Sequence, residues 1–187
     1  MIEVEIKVRI PDTGSYTGAD IEKRLGEMGA EFLGVETHTD TYYNAPHRDF
    51  SKSDEALRVR CLDTKDGSVD ILTYKGQKID FESKTRKEIE IKIDNAKKAD
   101  EILKELGFIA SGGVVKTRKN YKLKDIYVSL DDVNWLGKFM ELEITVEGKD
   151  FDYEKKKIFE VLPSLGFKKG DVIRESYLEM LKEIRKA

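Results

Sequence analysis

The stretch that decides the fold is IEVEIKVRI, Ile2 to Ile10. Ile2, Val4, Ile6, Val8 and Ile10 fall on one side of an extended chain, and Glu3, Glu5, Lys7 and Arg9 on the other. An unbroken period of two marks a strand with one apolar face. The opposite face carries full charges alone, whereas an ordinary solvent face mixes in Thr, Ser and Gln. The same rhythm returns in EIEIK (Glu88–Lys92) and ELEIT (Glu141–Thr145). Bases take those places in LRVR, with Arg58 and Arg60, and in VKTR, with Lys116 and Arg118. Side chains alternate along a strand, so the members of each pair point the same way.

Outward from this strand, more are expected at His38 to Tyr43, Ala56 to Leu62, Val69 to Lys75, Lys84 to Ile93, Val114 to Lys122, Ile126 to Val133 and Phe139 to Glu147. A Lys65-Asp66-Gly67 turn joins two of them as a hairpin, so the sheet should be largely antiparallel. Pro11 is expected to end the first strand, with a Gly/Ser/Thr loop running to Gly18. Asp20 is then expected to cap a helix to about Met28. Further helices are expected from Asp94 or Asn95, from about Tyr153, and from about Arg174 to Arg185. LGEMGAEF (25–32), LKELGF (103–108) and LPSLGF (162–167) carry a common stop, an apolar stripe followed by Gly and then Phe.

Two arrangements accommodate the charged faces. An open sheet would turn them to solvent, where cross-strand ion pairs add only tenths of a kcal/mol each. A closed barrel would gather them inside. Neighbouring Glu residues repel unless something cationic sits between them, and the barrel meets this need by gathering a divalent metal at the Glu pairs and a polyanion at the Arg/Lys pairs. Arg offers a fork of donors to phosphate oxygens, Lys adds point charge, and several bases together suit a chain of two or three phosphates. The chain has no GxxxxGK[ST] loop and no GxGxxG, so side chains rather than a backbone cradle would hold them.

Composition narrows the function classes. Over 187 residues, 34 Lys+Arg against 37 Asp+Glu give a formal charge of -3, which argues against a basic clamp for duplex nucleic acid and gives no reason to expect an anionic membrane as partner. Cys61 stands alone and His38 and His47 fit no zinc motif, so neither a disulfide nor a zinc site is expected. The opening reads as a charged strand rather than a signal peptide, no apolar run approaches a membrane span, and a soluble cytoplasmic protein of one domain, 1–187, is expected. Trp135, in the DVNWLG turn, and Cys61 are expected to pack.

The charged pairs resemble a known family. Glu3, Glu5 and Lys7 form an N-terminal ExExK similar to the signature of the CYTH superfamily, the triphosphate tunnel metalloenzymes. The resemblance continues in order through HTDTYYNAP (38–46), RDFSKSDEALRVR (48–60), YKG (74–76), RKEIE (86–90), VKTR (115–118), SLDDV (129–133), LGKFMELEI (136–144) and ESYLEML (175–181). RDF…DEALRVR and LGxFxELE look most like the branch named CyaB, the class IV adenylate cyclases. The resemblance implies an α+β fold with a closed eight-stranded antiparallel β-barrel, a charged interior and helices outside. It implies conversion of ATP to cyclic AMP and pyrophosphate, with two alternatives: hydrolysis of tripolyphosphate, thiamine triphosphate or a nucleoside triphosphate, or binding of such an anion without turnover.

By position, the resemblance makes Glu3, Glu5, Glu141 and Glu143 the main carboxylates for Mg²⁺ or Mn²⁺, with Asp131 and Glu90 (or Glu88) assisting. Lys7, Arg58, Arg60, Lys75, Arg86, Lys116, Arg118 and Arg174 would hold phosphates, Arg174 having an equal claim to a structural role on the last helix. Glu5, Lys75 and Tyr42 are the catalytic candidates, with His38 and Tyr42 expected near the mouth. The partner would be a small-molecule triphosphate, and a homodimer is left open.

Overall fold

A computed structural model describes residues 1–11, 17–147 and 151–185. The loop expected after Pro11 lies largely outside these residues. The strands are β1 (Ile2–Arg9), β2 (Glu31–Asn44), β3 (Ala56–Thr64), β4 (Gly67–Lys78), β5 (Arg86–Ile93), β6 (Ile109–Leu123), β7 (Ile126–Val133) and β8 (Gly137–Val146). They close into a barrel in the order β1-β5-β4-β3-β2-β6-β7-β8, with every neighbouring pair antiparallel. The expected α+β fold with a closed eight-stranded antiparallel barrel is the one observed. Closure is uneven: β1 follows β8 from Ile2 to Arg9, but meets β5 only at Ile2↔Lys87 and Glu3↔Arg86.

The alternation in β1 is what faces the barrel correctly. Val4, Ile6 and Val8 are fully buried outside it, against Ile21 and Leu25 of α1 (Gly18–Glu27) and Ile158 of α3 (Asp152–Val161). A second cluster joins Val114, Val133, Leu136 and Phe139 to Tyr177 and Leu181 of α4 (Tyr177–Ile184). A third places Leu103 of α2 (Ala96–Glu105) on Tyr43 and Val59. The common helix stop is real: Gly29, Gly107 and Gly166 have φ of 78°, 84° and 87°, the left-handed conformation glycine tolerates best.

Several expectations change in detail. Asp20 sits in the first turn of α1, accepting from the Thr17 N–H at 2.7 Å, so Thr17 is the cap. The last helix begins at Tyr177 with Ser176 as cap, which leaves Arg174 ahead of it. Trp135 does not pack: it is 87% exposed at φ 70°, at the tip of the β7–β8 turn. Cys61 is half-buried rather than in the core. Among the described residues no helix is long and apolar enough to cross a membrane.

Candidate active site inside the barrel

The charged faces turn inward on a cavity of about 360 Å³, which the 44–56 loop and the first turn of α4 also line. On its wall lie Glu3, Glu5, Glu90, Glu141 and Glu143 of the expected metal carboxylates. Arg58, Arg60, Lys75, Arg86, Lys116 and Arg118 of the expected phosphate ligands join them, with Tyr42.

One side of the wall is short of positive charge. β1 and β8 are paired with Glu5 opposite Glu143 and Lys7 opposite Glu141, which brings acids on two adjacent strands together. Burial raises the Glu5 carboxyl, and Glu141 beside it raises it further. Burial, then Glu3 and Glu5, push Glu143 up to about 8. Glu3 is also raised, by burial, against the opposing pull of Lys75. Glu141 runs the other way: despite burial, Lys84, Lys116 and Arg118 hold it well below the usual carboxylate range. Carboxylates whose pKa is raised by burial and by one another fit a hard divalent cation, which takes oxygen donors and favours the ionised form. Lys75, which bonds Glu88 and lies 3.5 Å from Glu3, and Lys84, which bonds Glu5 and lies 3.5 Å from Glu141, stand between them. Among the described residues no three metal-ligating side chains are already gathered at one point.

The other side gathers cations, most of them held by buried acids. Burial and the neighbouring Arg118 bring Lys116 down to about 8, and burial and Lys84 bring Lys7 down to about 7. Arg58 donates to Thr73 at 3.0 Å, its nearest carboxylate oxygens are 3.7 and 3.8 Å away, and its buried Nε has no partner. Arg60 is held by two bonds to Asp40, of 2.7 and 2.8 Å. Arg118 forks onto Asp131 with two bonds of 2.6 Å and also reaches Glu141.

Three expected residues lie off the wall. Asp131 is enclosed and both of its oxygens are taken, by Arg118, by Lys116 at 2.8 Å and by the Tyr177 hydroxyl at 2.8 Å. It therefore serves here as counter-ion to the cations. Lys7 is fully buried, bonded to the Glu175 carbonyl, with its ammonium 4.2 Å from the Tyr177 ring centroid. Arg174 donates to the Asp80 carbonyl at 2.9 Å and so ties the C-terminal segment to the loop before β5. Tyr42 is on the cavity wall, but His38 is not and is only 2% exposed, so the two do not share one mouth.

Lys84, Asp40 and Tyr177 escaped selection from the sequence. Lys84 has the phase of Arg86, Glu88 and Glu90, a signal that placed it on the inward face. Asp40 alternates with Tyr42 in the same way. Tyr177 sits at the start of α4 and reaches Asp131 and the cavity by long-range packing, which no periodicity reports.

Relatives share this architecture. The CYTH domain description matches residues 1–177. MJ0240 of Methanocaldococcus jannaschii, provisionally named an adenylate cyclase, is 42% identical over 181 residues, spanning 96% of this chain and 98% of its own. Adenylate cyclase CyaB of Aeromonas hydrophila is 25% identical over 178 residues, 94% of this chain and 86% of its own. The structure of PH1819 from Pyrococcus horikoshii OT3 superposes with a TM-score of 0.87 at 42% identity, covering 98% of this chain and 99% of that one. A barrel with acids and bases paired across one cavity, and relatives matched end to end, lead to one conclusion: the chain belongs to the CYTH domain family.

Proposed function

We propose that the barrel cleaves a linear triphosphate with a divalent cation, turning ATP into cyclic AMP and pyrophosphate. The observation that carries this reading is one cavity whose wall sets buried carboxylates, with Glu5 and Glu143 raised by burial and by neighbouring acids, against the cations Arg58, Arg60, Lys116 and Arg118. A metal–triphosphate complex presents the two complementary charges together. Arg58, Arg60, Arg86, Lys116 and Arg118 would hold the phosphate oxygens, and Lys75, between Glu3 and Glu88, would bridge the phosphate and metal sides. Glu3, Glu5, Glu141 and Glu143, with Glu90 beside them, would hold Mg²⁺ or Mn²⁺. Such an ion supplies charge neutralisation at the phosphates and a lowered pKa for a coordinated hydroxyl or water. Tyr42, on the same wall, would orient the attacking hydroxyl. Phe50 and Leu178, which line the same cavity, would offer an apolar seat to a nucleoside.

The relatives named adenylate cyclases support the cyclase reading. A second reading, attack by water, is favoured by a wall that grips phosphates and leaves the organic end to a few side chains. Tripolyphosphate or thiamine triphosphate would then be the better substrate. Chromatography of the products from ATP with Mg²⁺ or Mn²⁺, against an EDTA control, separates the two. Cyclic AMP with pyrophosphate is expected, ADP with orthophosphate would replace cyclisation by hydrolysis, and binding without any metal-dependent product would leave a non-catalytic binder.

A further inference from the structure

His38 is a buried polar group that the proposed reaction does not use. Its place on β2, in phase with Asp40 and Tyr42, turns it into the barrel, opposite Leu62 of β3 and Lys116 of β6. Its Nε2 lies 2.9 Å from a Glu36 carboxylate oxygen, so in the neutral ring this nitrogen carries the proton and donates. The other nitrogen, Nδ1, is enclosed and has no partner. A buried acceptor left unsatisfied costs about 1–3 kcal/mol, so its persistence asks for an occupant or a change of state.

The groups around it suggest which. From its own strand come Glu36 and Asp40, from β3 Arg60, and from β6 Lys116 and Arg118, both of which are tied to Asp131 of β7. Arg60, Lys116 and Arg118 are also three of the cations on the cavity wall. Burial foremost, and then those three cations, against the Glu36 bond, bring the ring down to about 4. An anion bound on the same cations reverses their effect on the ring.

We propose that His38 is an anion-linked proton site: when a polyphosphate chain settles on Arg60, Lys116 and Arg118, the cations that act on the ring, Nδ1 takes a proton from solvent, Nε2 still holding Glu36. The proton returns to solvent when the anion leaves, and no covalent bond changes. His38 is thus a positioning residue: at a pH between its free and anion-bound pKa values it adds positive charge to the phosphate side only while that side is occupied. The inference rests on reading the barrel as a polyphosphate site.

The chain has only two histidines, so ring-proton NMR resolves each, and His47, on the exposed loop beside Arg48, is an internal control. The ring pKa of His38 is measured in EDTA with and without tripolyphosphate, binding being followed separately by calorimetry. The expected result is a rise of one unit or more at His38 and none at His47. A rise of about two units also means that wild-type affinity tightens about tenfold more than that of His38→Gln between about pH 7 and pH 5, the anion's own ionisation cancelling in the comparison. An unmoved His38 pKa with tripolyphosphate demonstrably bound would overturn the inference and leave the phosphate site standing. No binding at all would overturn both.

Discussion

Arg58 stands on the cavity wall with its nearest paired carboxylate oxygen 3.7 Å away, its donors largely unspent. Hydrogen bonds to charged groups contribute about 1.5–3 kcal/mol. Arg58→Ala should therefore weaken tripolyphosphate binding about ten- to hundredfold by calorimetry, and unchanged affinity would remove Arg58 from the phosphate site. Lys84 has the opposite character, committed to Glu5 and Glu141 and buried with both. Breaking a buried pair costs about 3–5 kcal/mol, so Lys84→Met should melt well below wild type in EDTA. Mg²⁺ should then restore more stability to the variant than it adds to wild type, because it replaces the missing charge. Glu143 gives a proton readout. Its folded pKa of about 8 lies above the ordinary value of 4.5, so the stability it contributes is fully present below about 4.5 and is lost as pH rises through about 8. A metal that takes this carboxylate must expel its proton. Mg²⁺ binding near pH 7 should accordingly release protons, read from calorimetry in two buffers of different ionisation enthalpy, and tighten as pH rises. Proton-neutral binding would contradict the metal assignment.

At the scale of elements, α4 matters most among the helices to the cavity because its first turn lines it. It lies so close to β6 that a Cβ on Gly112 would come within 2.7 Å of the Leu178 side chain, and Gly112 has a φ of 150°. Gly112→Ala should lower the melting temperature, with a cost of about 1–3 kcal/mol from overpacking. Adding Leu178→Ala should return the steric part of that loss but not the backbone part. Strictly additive losses would mean that the two residues do not meet. The strands were legible wherever alternation was clean. β1 and β7 run almost as expected, and the inward Glu and Arg pairs follow from phase alone. β2 was seen as His38 to Tyr43 but spans Glu31–Asn44, because its first half exposes Phe32, Leu33 and Val35 and passes an irregularity at Gly34. Lys84 lies just outside β5, so its inward phase was visible but its bond to Glu5 depends on a loop that folds back across the barrel. Tyr177 and Arg174 depend on where the C-terminal segment docks, a long-range packing outcome with no local sequence signal.

At the scale of the molecule, closing the sheet converts a charged face that would be weak and solvated into a low-dielectric interior where each imbalance counts. The acids of β1 and β8 want a cation, and the bases of β3 and β6 want an anion. Since both surround one cavity, the two ligands should help each other. The most direct test is calorimetry of tripolyphosphate with and without Mg²⁺, corrected for the complex the two form in solution. The account predicts that Mg²⁺ tightens the anion at least about tenfold and that the anion tightens Mg²⁺ by the same factor, as linkage requires. Independent or competitive binding of the two would contradict it.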